Sequence, residues 1–347
     1  MPVSQRELAQ TLGISQMTVS RALRGDPGVS SRVRKRILQS AQEMGYPVAA
    51  RFRRESAGLE HVVCSIINTG TDSSEGFHAR LLKGIQLGVR ETGAELINYD
   101  ETPNAWEEES DVGWPRVVSR RQVDGVIHLF GGHPDHRPGY SCPVPHISIF
   151  YPVDEASDVA TVDNFSGARE LGDHLGALGH RRVAFVGPVT PLAEERLIGL
   201  QTGLKTHGSS IPDELIAQEL PGSNVESASR LLQKILPLNS VKPSTVHARF
   251  TAIAVYNDHL AAIVIDQLNR KGLRVPEDIS VTGFDAVRPL DYQGPPLTTS
   301  ALPLESLGTE AARLLYWRLD FPSAPRRTLV LDTTFVAGDT VAEVPSG

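Results

Sequence analysis

The first 46 residues have the hydrophobic spacing of short helices. Ser4 and Glu7 stand at the Ser-x-x-Glu spacing of a capping box, in which the two side chains satisfy free backbone donors at a helix start. A helix is therefore expected from Gln5 onward, with Gly13 ending it. A second helix over about 15–24 follows after only a few residues. A helix, a short turn containing glycine and another helix are typical of a helix-turn-helix unit.

The second helix has two chemically different faces. At 100° per residue, its apolar side contains Thr18, Val19, Ala22 and Leu23. Its long, polar and basic side contains Gln16, Met17, Ser20, Arg21 and Arg24. A third helix, starting at Ser30 or Ser31, is expected to bury Val33, Ile37, Ala41 and Met44. Three short helices of this kind close a small core.

From residue 61 onward, short runs rich in β-forming residues alternate with longer amphipathic stretches. The predicted strands are His61–Asn68, Glu95–Tyr99, Gly125–Phe130, His146–Phe150, Arg182–Gly187, Ala252–Tyr256, Ile279–Phe284 and Leu329–Phe335. The predicted helices are 76–92, 104–121, 165–179, 192–207, 225–236, 258–272 and 304–319. Such alternation predicts an α/β class with parallel sheets covered by helices on both faces. A stretch of this length is expected to form two lobes.

Composition limits the class of protein. The chain has 347 residues, of which 40% are hydrophobic and 22% charged, so it is too apolar for a disordered protein and too long for one ordinary domain. No stretch of about 18 uninterrupted apolar residues occurs, and the N-terminal residues lack the apolar core of a signal peptide. We therefore expect a cytoplasmic location and no membrane partner.

The net charge of −7 hides an asymmetry along the chain. Residues 1–60 contain ten Lys and Arg against five Asp and Glu, a net charge of +5, which leaves −12 for the other 287 residues. A basic N-terminal segment on an acidic body favours DNA as a partner.

Catalytic, cofactor and metal motifs are not found in the sequence. It contains no Gly-x-Gly-x-x-Gly, Walker loop or Gly-x-Ser-x-Gly elbow, so nucleotide binding and acyl transfer are not indicated. The group formed by His128, His133, Asp135 and His136 matches no standard metal-ligand spacing and is interpreted as a solvated loop. Cys64 and Cys142 are too few for a disulfide framework, and both are expected to be structural. We expect no cofactor, no metal and no enzyme activity.

The N-terminal residues resemble a known family. The run Ile14-Ser15-Gln16-Met17-Thr18-Val19-Ser20-Arg21-Ala22-Leu23, followed by Val29-Ser30 and Met44-Gly45-Tyr46, resembles the DNA-binding domain of the LacI/GalR family of bacterial transcriptional regulators. The resemblance implies a helix-turn-helix domain over 1–46, a hinge over 47–60 and an effector-binding and dimerisation domain over 61–347.

The resemblance implies that the second helix enters the major groove, where Gln16, Met17 and Arg21 read base edges. The chemistry agrees, because Arg pairs with guanine, Gln with adenine, and Met offers apolar contact to a thymine methyl group. Phosphate contacts are expected from Ser15, Thr18, Ser20, Ser30 and Arg34. The alternative is a small helical bundle with a solvated basic face.

The hinge departs from the family pattern. The usual Pro-Asn pair is missing, and Arg54 or Glu55 stands where the family has a leucine that wedges into the minor groove. Arg51, Arg53 and Arg54 are predicted to enter a narrow minor groove. The alternative for these arginines is a solvated linker.

The body resembles the same family over nearly its whole length. Val162-Asp163-Asn164, Leu178-Gly179-His180, Asn257-Asp258 and the run from Leu273 to Asp285 stand in family order. The resemblance implies two Rossmann-like lobes, similar to type I periplasmic sugar-binding proteins, with a ligand between them. The expected lobes are 61–163 with 288–321, and 164–287 with 322–347.

Several effector-binding residues are expected at the carboxyl ends of parallel strands, where α/β proteins bind ligands. Asp163, Asp258 and Asp285 each follow a β-rich run, and Arg196 lies early in the helix after another. A carboxylate and a guanidinium together bind vicinal hydroxyls well. The resemblance singles out Arg196 and Asp258 and adds Asn257, Phe77 and His78. The alternatives are helix caps for Asn257 and Asp258, turn residues for Asp163 and Asp285, a packing role for Phe77 and a surface position for His78.

These observations predict a homodimeric repressor of transcription. Its partners are expected to be a pseudo-palindromic double-stranded operator and a small effector, a sugar or sugar derivative by the family's example. A nucleobase effector is the alternative ligand, and a solute-binding protein of a transport system is the alternative function.

Overall fold

The computed structural model describes residues 4–23, 29–44, 46, 61–67, 75–100, 114, 116–129, 142–152, 154–219, 225–236, 250–289 and 292–344. The chain divides into two compact units. Unit 1 comprises Met1–Asn68, Ile85–Val159 and Thr309–Arg327, and unit 2 comprises Thr69–Gly84, Ala160–Gly308 and Thr328–Gly347. The lobe boundaries expected from the sequence stay a proposal. Within the described residues, no helix is long and apolar enough to cross a membrane.

Three helices open the chain, at Gln5–Leu12 (α1), Gln16–Leu23 (α2) and Ser31–Glu43 (α3). The predicted capping box is present, because the Glu7 amide donates to Ser4 Oγ at 3.3 Å and the Ser4 amide donates to Glu7 Oε2 at 2.7 Å. Gly13 ends α1 in the left-handed region at φ 66°, which glycine adopts without strain.

One apolar cluster joins these helices. Its buried members are Leu8, Ala9, Leu12, Val19, Ala22, Val29, Ile37, Leu38 and Ala41. The Gln5 amide donates to the Tyr46 hydroxyl at 3.0 Å and so links the start of α1 to the residues after α3. The prediction that Val33 is buried is wrong, since its side chain is 37% exposed. Val33 lies in the first turn of α3, whereas the buried stripe begins one turn later at Ile37 and Leu38.

In unit 1, four parallel strands lie in the order β2-β1-β3-β4. They are Val62–Ile67 (β1), Glu95–Asp100 (β2), Gly125–Leu129 (β3) and His146–Ile149 (β4). The helix Glu75–Arg90 (α4) lies between β1 and β2 in the chain, and a short helix, Arg116–Ser119 (α5), precedes β3. Trp114, Val118 and Val123 pack against residues of β1 and β3.

Unit 2 contains a second parallel sheet with the order β7-β6-β8-β9. Its strands are Val183–Pro188 (β6), Ile216–Glu219 (β7), Ala252–Val255 (β8) and Ser280–Thr282 (β9). The helices that follow in the chain are Asn164–Ala177 (α6), Pro191–Lys205 (α7), Val225–Ile235 (α8) and Asp258–Arg270 (α9), with Asp158–Val162 (β5) preceding α6.

Helices α6 and α7 pack closely through glycines. A Cβ atom added at Gly203 would lie 2.1 Å from the Arg169 carbonyl oxygen, and one at Gly199 would lie 2.3 Å from the Phe165 carbonyl oxygen. Only glycine permits this approach of the two backbones, so the packing fixes the direction of α7 and of the side chains on it.

The C-terminal part differs from the prediction of one strand over Leu329–Phe335. Two strands are present, Thr328–Leu331 (β11) and Thr334–Val336 (β12), after Thr299–Ala301 (β10) and the helix Leu304–Asp320 (α10). The chain changes partner between them: the Asp163 amide donates to the Leu331 carbonyl beside β5, whereas β12 pairs antiparallel with β10. Strands β7 and β10 were not predicted. Of the predicted helix 104–121, residues 104–113 and 115 lie outside the described residues.

Candidate functional site: a DNA-reading helix and an effector cluster

The polar face of α2 lies on the surface of the three-helix group. Gln16 and Arg21 are exposed and Met17 is 65% exposed, while Val19 and Ala22 are buried in the core below them. An apolar side chain held this far out of the core is placed for contact with another molecule. The arrangement agrees with the predicted base-reading role of these three side chains, which stays a prediction.

Two of the predicted phosphate contacts are helix caps. Ser15 Oγ accepts from the Thr18 amide at 3.0 Å and lies 2.8 Å from the Thr18 hydroxyl, and Ser30 Oγ accepts from the Val33 amide at 3.4 Å. The caps place both hydroxyls at exposed helix N-termini, where backbone amides favour anions. Arg34 donates to the Val29 carbonyl at 3.4 Å, and Ser20 is partly exposed.

The hinge arginines Arg51, Arg53 and Arg54 lie outside the described residues, as does Arg24. Their predicted contacts with DNA stay predictions.

In unit 2, three of the predicted effector residues meet at one edge of the parallel sheet. Arg196 projects from α7 after β6, Asp258 begins α9 after β8, and Asp285 follows β9. Because β6, β8 and β9 are neighbours, their carboxyl ends bring these side chains together. We call Arg196, Asp258 and Asp285 the effector cluster.

Arg196 is the centre of the effector cluster and is only 3% exposed. Its Nε donates to Asn164 Oδ1 at 3.0 Å and its NH1 donates to the Tyr256 carbonyl at 2.7 Å. Its NH2 lies 3.2 Å from Asp285 Oδ1. The guanidinium carbon also lies 3.9 Å from the centre of the Phe284 ring and 4.6 Å from that of Tyr256. Two aromatic faces and three polar partners therefore fix this cation.

Asp258 is 2% exposed and has a partner for each carboxylate oxygen. The Thr299 hydroxyl donates to Oδ1 at 2.7 Å, and the Val287 amide donates to Oδ2 at 2.9 Å. A Cβ atom at Gly283 would lie 2.0 Å from Asp258 Oδ1, so only glycine fits there. Asp258 thus ties the start of α9 to the segments after β9 and at β10. Burial, and then the charge of Asp285, raise the pKa of Asp258 well above its ordinary value.

Asp285 occupies a strained backbone position. Its φ is 103° and that of Ala286 is 52°, both in the left-handed region that residues with a Cβ atom rarely adopt. Strain of this kind is common at binding sites. The Asp285 amide donates to the Ser300 carbonyl at 2.9 Å, which holds the position against β10. Burial raises the pKa of Asp285 to about 6, although the charge of Arg196 acts in the opposite direction.

The remaining candidates divide into caps and one aromatic pair. Asp163 accepts from the Ser166 amide at 2.8 Å as the N-cap of α6, and Asn257 accepts from the Leu260 amide at 2.9 Å as the N-cap of α9. Phe77 and His78 are buried on α4, with their rings in edge contact at 5.6 Å. The structure therefore shows His78 away from the surface, and no contact of either ring with the effector cluster is described.

Sequence analysis missed the residues that hold Arg196 in place. Asn164, Tyr256, Phe284 and Thr299 contact the cluster, but none of them follows from strand spacing alone. One signal was available, because Asn164 and Phe284 stand beside the candidates Asp163 and Asp285. Within the described residues, no group of three or more His, Cys, Asp or Glu side chains is arranged to hold a metal ion.

Residues 6–47 match the family described as bacterial regulatory proteins, lacI family, and residues 172–341 match a periplasmic binding protein-like domain. The chain belongs to the LacI family. Members of this family are DNA-binding transcriptional regulators and not enzymes, and this chain has the same order of domains.

This LacI-family chain is similar to named regulators over most of its length. It is 27% identical over 322 residues to the transcriptional repressor CytR of Escherichia coli (strain K12), covering 90% of this chain and 88% of CytR. It is 26% identical over 320 residues to the transcriptional regulator DegA of Bacillus subtilis (strain 168), covering 88% of each chain.

Solved structures of LacI-family regulators share the fold. A complex of the regulator CelR with cellobiose has a TM-score of 0.66 at 23% identity, covering 97% of this chain and 99% of CelR. The lac repressor dimer bound to operator and the anti-inducer ONPF has a TM-score of 0.63 at 22% identity, covering 99% of this chain and 100% of that chain. The predicted α/β fold class is confirmed.

Proposed function

We propose that this chain is a repressor that acts in the cytoplasm as a homodimer on a pseudo-palindromic operator. A sugar or sugar derivative, bound at the effector cluster, controls its affinity for that operator. The observation that carries the DNA-binding part is the exposed face of α2, where Gln16, Met17 and Arg21 project from a packed three-helix core. Two chains bind two half-sites when the protein and the operator share a two-fold axis.

The effector part rests on the chemistry of Arg196 and Asp285. A fixed guanidinium donates two parallel bonds and a carboxylate accepts, which matches neighbouring hydroxyls of a sugar. The flat faces of Tyr256 and Phe284 beside Arg196 add apolar surface for the ring of such a ligand. Solved relatives bind cellobiose, ribose and glucose, which supports this ligand class.

DNA reading is tested by comparing two arginines of the N-terminal domain. The operator is first selected from random duplexes with the unaltered protein. Arg21→Ala is then expected to weaken operator binding by about 1–3 kcal/mol, because a bidentate contact to guanine is lost, with random DNA bound as before. Arg34→Ala is expected to weaken operator and random DNA by the same factor, because it removes a phosphate contact.

Both variants are measured by fluorescence anisotropy at one salt concentration, because phosphate contacts make affinity depend on salt. Equal losses on operator and random DNA for Arg21→Ala would show that Arg21 does not read a base.

A further inference from the structure

Unit 1 contains a buried polar cluster that neither the DNA-reading helix nor the effector cluster uses. It consists of Cys142, His146, Asp154 and Ser157, which we call the thiol cluster. His146 begins β4, Cys142 lies four residues before it, and the other two follow β4. His146 and Ser157 are buried, while the Cys142 side chain is 9% exposed.

The hydrogen bonds of His146 require a proton on both ring nitrogens. Nδ1 lies 3.2 Å from the Val144 carbonyl oxygen, and Nε2 lies 2.9 Å from Asp154 Oδ1. A carbonyl and an ionised carboxylate only accept, so each nitrogen must donate. Ser157 Oγ also lies 2.9 Å from Nε2, but its own proton is directed to Asp154 Oδ1 at 3.0 Å. His146 is therefore an imidazolium paired with the Asp154 carboxylate.

The electrostatics agree with this assignment. Burial by itself lowers the pKa of His146, but hydrogen bonds to Asp154 and Cys142 outweigh burial and raise that pKa to about 10. Burial by itself raises the pKa of Asp154, but the hydrogen bond to His146 and its charge reverse the effect, so this pKa lies below its ordinary value.

Asp154 positions the thiol as well as the imidazolium. The Cys142 amide donates to Asp154 Oδ2 at 3.3 Å, while Asp154 Oδ1 accepts from His146. The Cys142 side chain is hydrogen-bonded to the His146 side chain. A positive imidazolium beside a thiol stabilises the thiolate, which is the nucleophilic form of cysteine.

Cys64 provides an internal comparison in the same unit. It is fully buried on β1 among apolar neighbours, and strand β3 lies between it and His146, because Cys64 is in register with Val126 and Val126 with His146. Burial, and then the charge of Cys142, raise the pKa of Cys64 to about 12. Cys64 therefore remains a protonated, inert thiol.

We propose that Cys142 is a site of oxidation by hydrogen peroxide, activated by His146 and Asp154. The Cys142 thiolate attacks one oxygen of the peroxide, a sulfur–oxygen bond forms and the oxygen–oxygen bond breaks. The leaving hydroxide takes the proton of His146 and becomes water, and His146 regains a proton from solvent. Sulfur loses two electrons, peroxide gains them, and the product is a sulfenic acid. This assignment replaces, for Cys142 alone, the expectation that both cysteines are structural.

The test uses the full-length protein and reads both cysteines at once. The protein is treated with hydrogen peroxide, sulfenic acid is trapped with dimedone, and the two cysteine peptides are quantified by mass spectrometry. Cys142 is expected to react at least about 10-fold faster than Cys64. In parallel, the rate of alkylation of Cys142 by iodoacetamide is measured against pH.

The variants His146→Gln and Asp154→Asn are each expected to slow the peroxide reaction of Cys142 by about 10-fold or more and to move the inflection of its alkylation profile to higher pH. Cys64→Ser is the matched control, and its Cys142 rate and profile should equal those of the unaltered protein. Circular dichroism confirms that each variant is folded.

Two results would overturn the proposal. One is equal reactivity of Cys142 and Cys64 in the unaltered protein, a comparison that needs no variant. The other is a folded His146→Gln or Asp154→Asn protein in which neither the Cys142 rate nor its inflection changes.

Discussion

Arg196 illustrates what one residue of this chain reveals through sequence and what it reveals only through structure. Its position early in a helix after a strand was sufficient to predict it at the carboxyl edge of a parallel sheet. Its partners were not predictable in the same way, because Asn164 and Tyr256 lie 32 and 60 positions away along the chain. Contacts of that separation depend on how helices and strands pack, which local periodicity does not encode.

Asp258 shows a related limit. The sequence left a helix cap and an effector contact open for Asn257 and Asp258. The structure gives the capping role to Asn257, whereas Asp258 is bound internally by Thr299 and Val287. Substitution of Asp258 by alanine would therefore disturb the packing of β10 as well as any ligand contact. Asp285, whose carboxylate has Arg196 as its main partner, is the better residue for testing the effector cluster.

At the residue scale, the His146–Asp154 ion pair predicts a specific pH dependence of stability. Since the pKa of His146 is about 10 when folded and about 6.5 when unfolded, its contribution is complete below pH of about 6.5 and is lost as pH rises towards 10. Since the pKa of Asp154 is lowered by folding, its contribution is complete above its unfolded pKa of about 3.9 and is lost as pH falls.

This dependence is measured as the free energy of unfolding in urea between pH 6 and pH 9, for the unaltered protein and for His146→Gln. The unaltered protein is expected to lose its advantage over His146→Gln as pH rises through this range. A difference that stays constant with pH would contradict the assignment of His146 as an imidazolium.

At the scale of helices and strands, regular periodicity made most of the fold predictable. The predicted helix 258–272 is observed as Asp258–Arg270, and the predicted strand His146–Phe150 as His146–Ile149. The failures lie where short strands meet distant partners. Thr299–Ala301 and Thr334–Val336 are three residues each, too short for a period to be read, and they pair only because the chain returns from α10.

Helix α10 carries two ion pairs that are expected to differ in value. Arg318 binds buried Asp158 with Nε at 2.5 Å and NH2 at 2.8 Å, and the Arg327 amide donates to the same carboxylate at 2.6 Å. Arg313, on the same helix, pairs with exposed Glu91 at 3.0 Å. Removing one partner of a buried pair leaves an uncompensated charge, whereas an exposed pair is replaced by water.

We therefore expect Arg318→Ala to lower the free energy of unfolding by about 3–5 kcal/mol. Arg313→Ala, the matched control, is expected to lower it by no more than about 1 kcal/mol. Both are measured by urea unfolding followed by circular dichroism. Similar losses for the two variants would show that burial of Asp158 does not determine the strength of its pair.

At the scale of the whole molecule, the distribution of charge agrees with a division of roles. The first 60 residues carry +5 and the remainder carries −12, so phosphates attract the part that contains α2 and repel the rest. This feature was readable from sequence, because charge adds up without knowledge of contacts. The effector class was not, because it depends on how Arg196, Asp285 and the rings of Tyr256 and Phe284 are placed.

Control by an effector requires that ligand binding and operator binding be coupled, and this coupling is open to measurement. A ligand that binds only the folded protein raises its melting temperature, so thermal shift against cellobiose, ribose, glucose and a set of nucleosides identifies the ligand class. We expect a sugar to give the shift and to change operator affinity. Asp285→Asn is expected to weaken that sugar by about 10-fold or more, because a charged hydrogen-bond acceptor is lost, and to leave operator binding without ligand unchanged.

Asp173→Asn, which alters an exposed carboxylate on α6 paired with His207, is the control and should behave as the unaltered protein in both assays. A nucleoside that shifts the melting temperature where sugars do not would overturn the sugar assignment while leaving the site in place. A sugar that binds Asp285→Asn as well as the unaltered protein would instead remove the effector cluster from ligand binding. The two outcomes are distinct, because the first changes the ligand and the second changes the residues that recognise it.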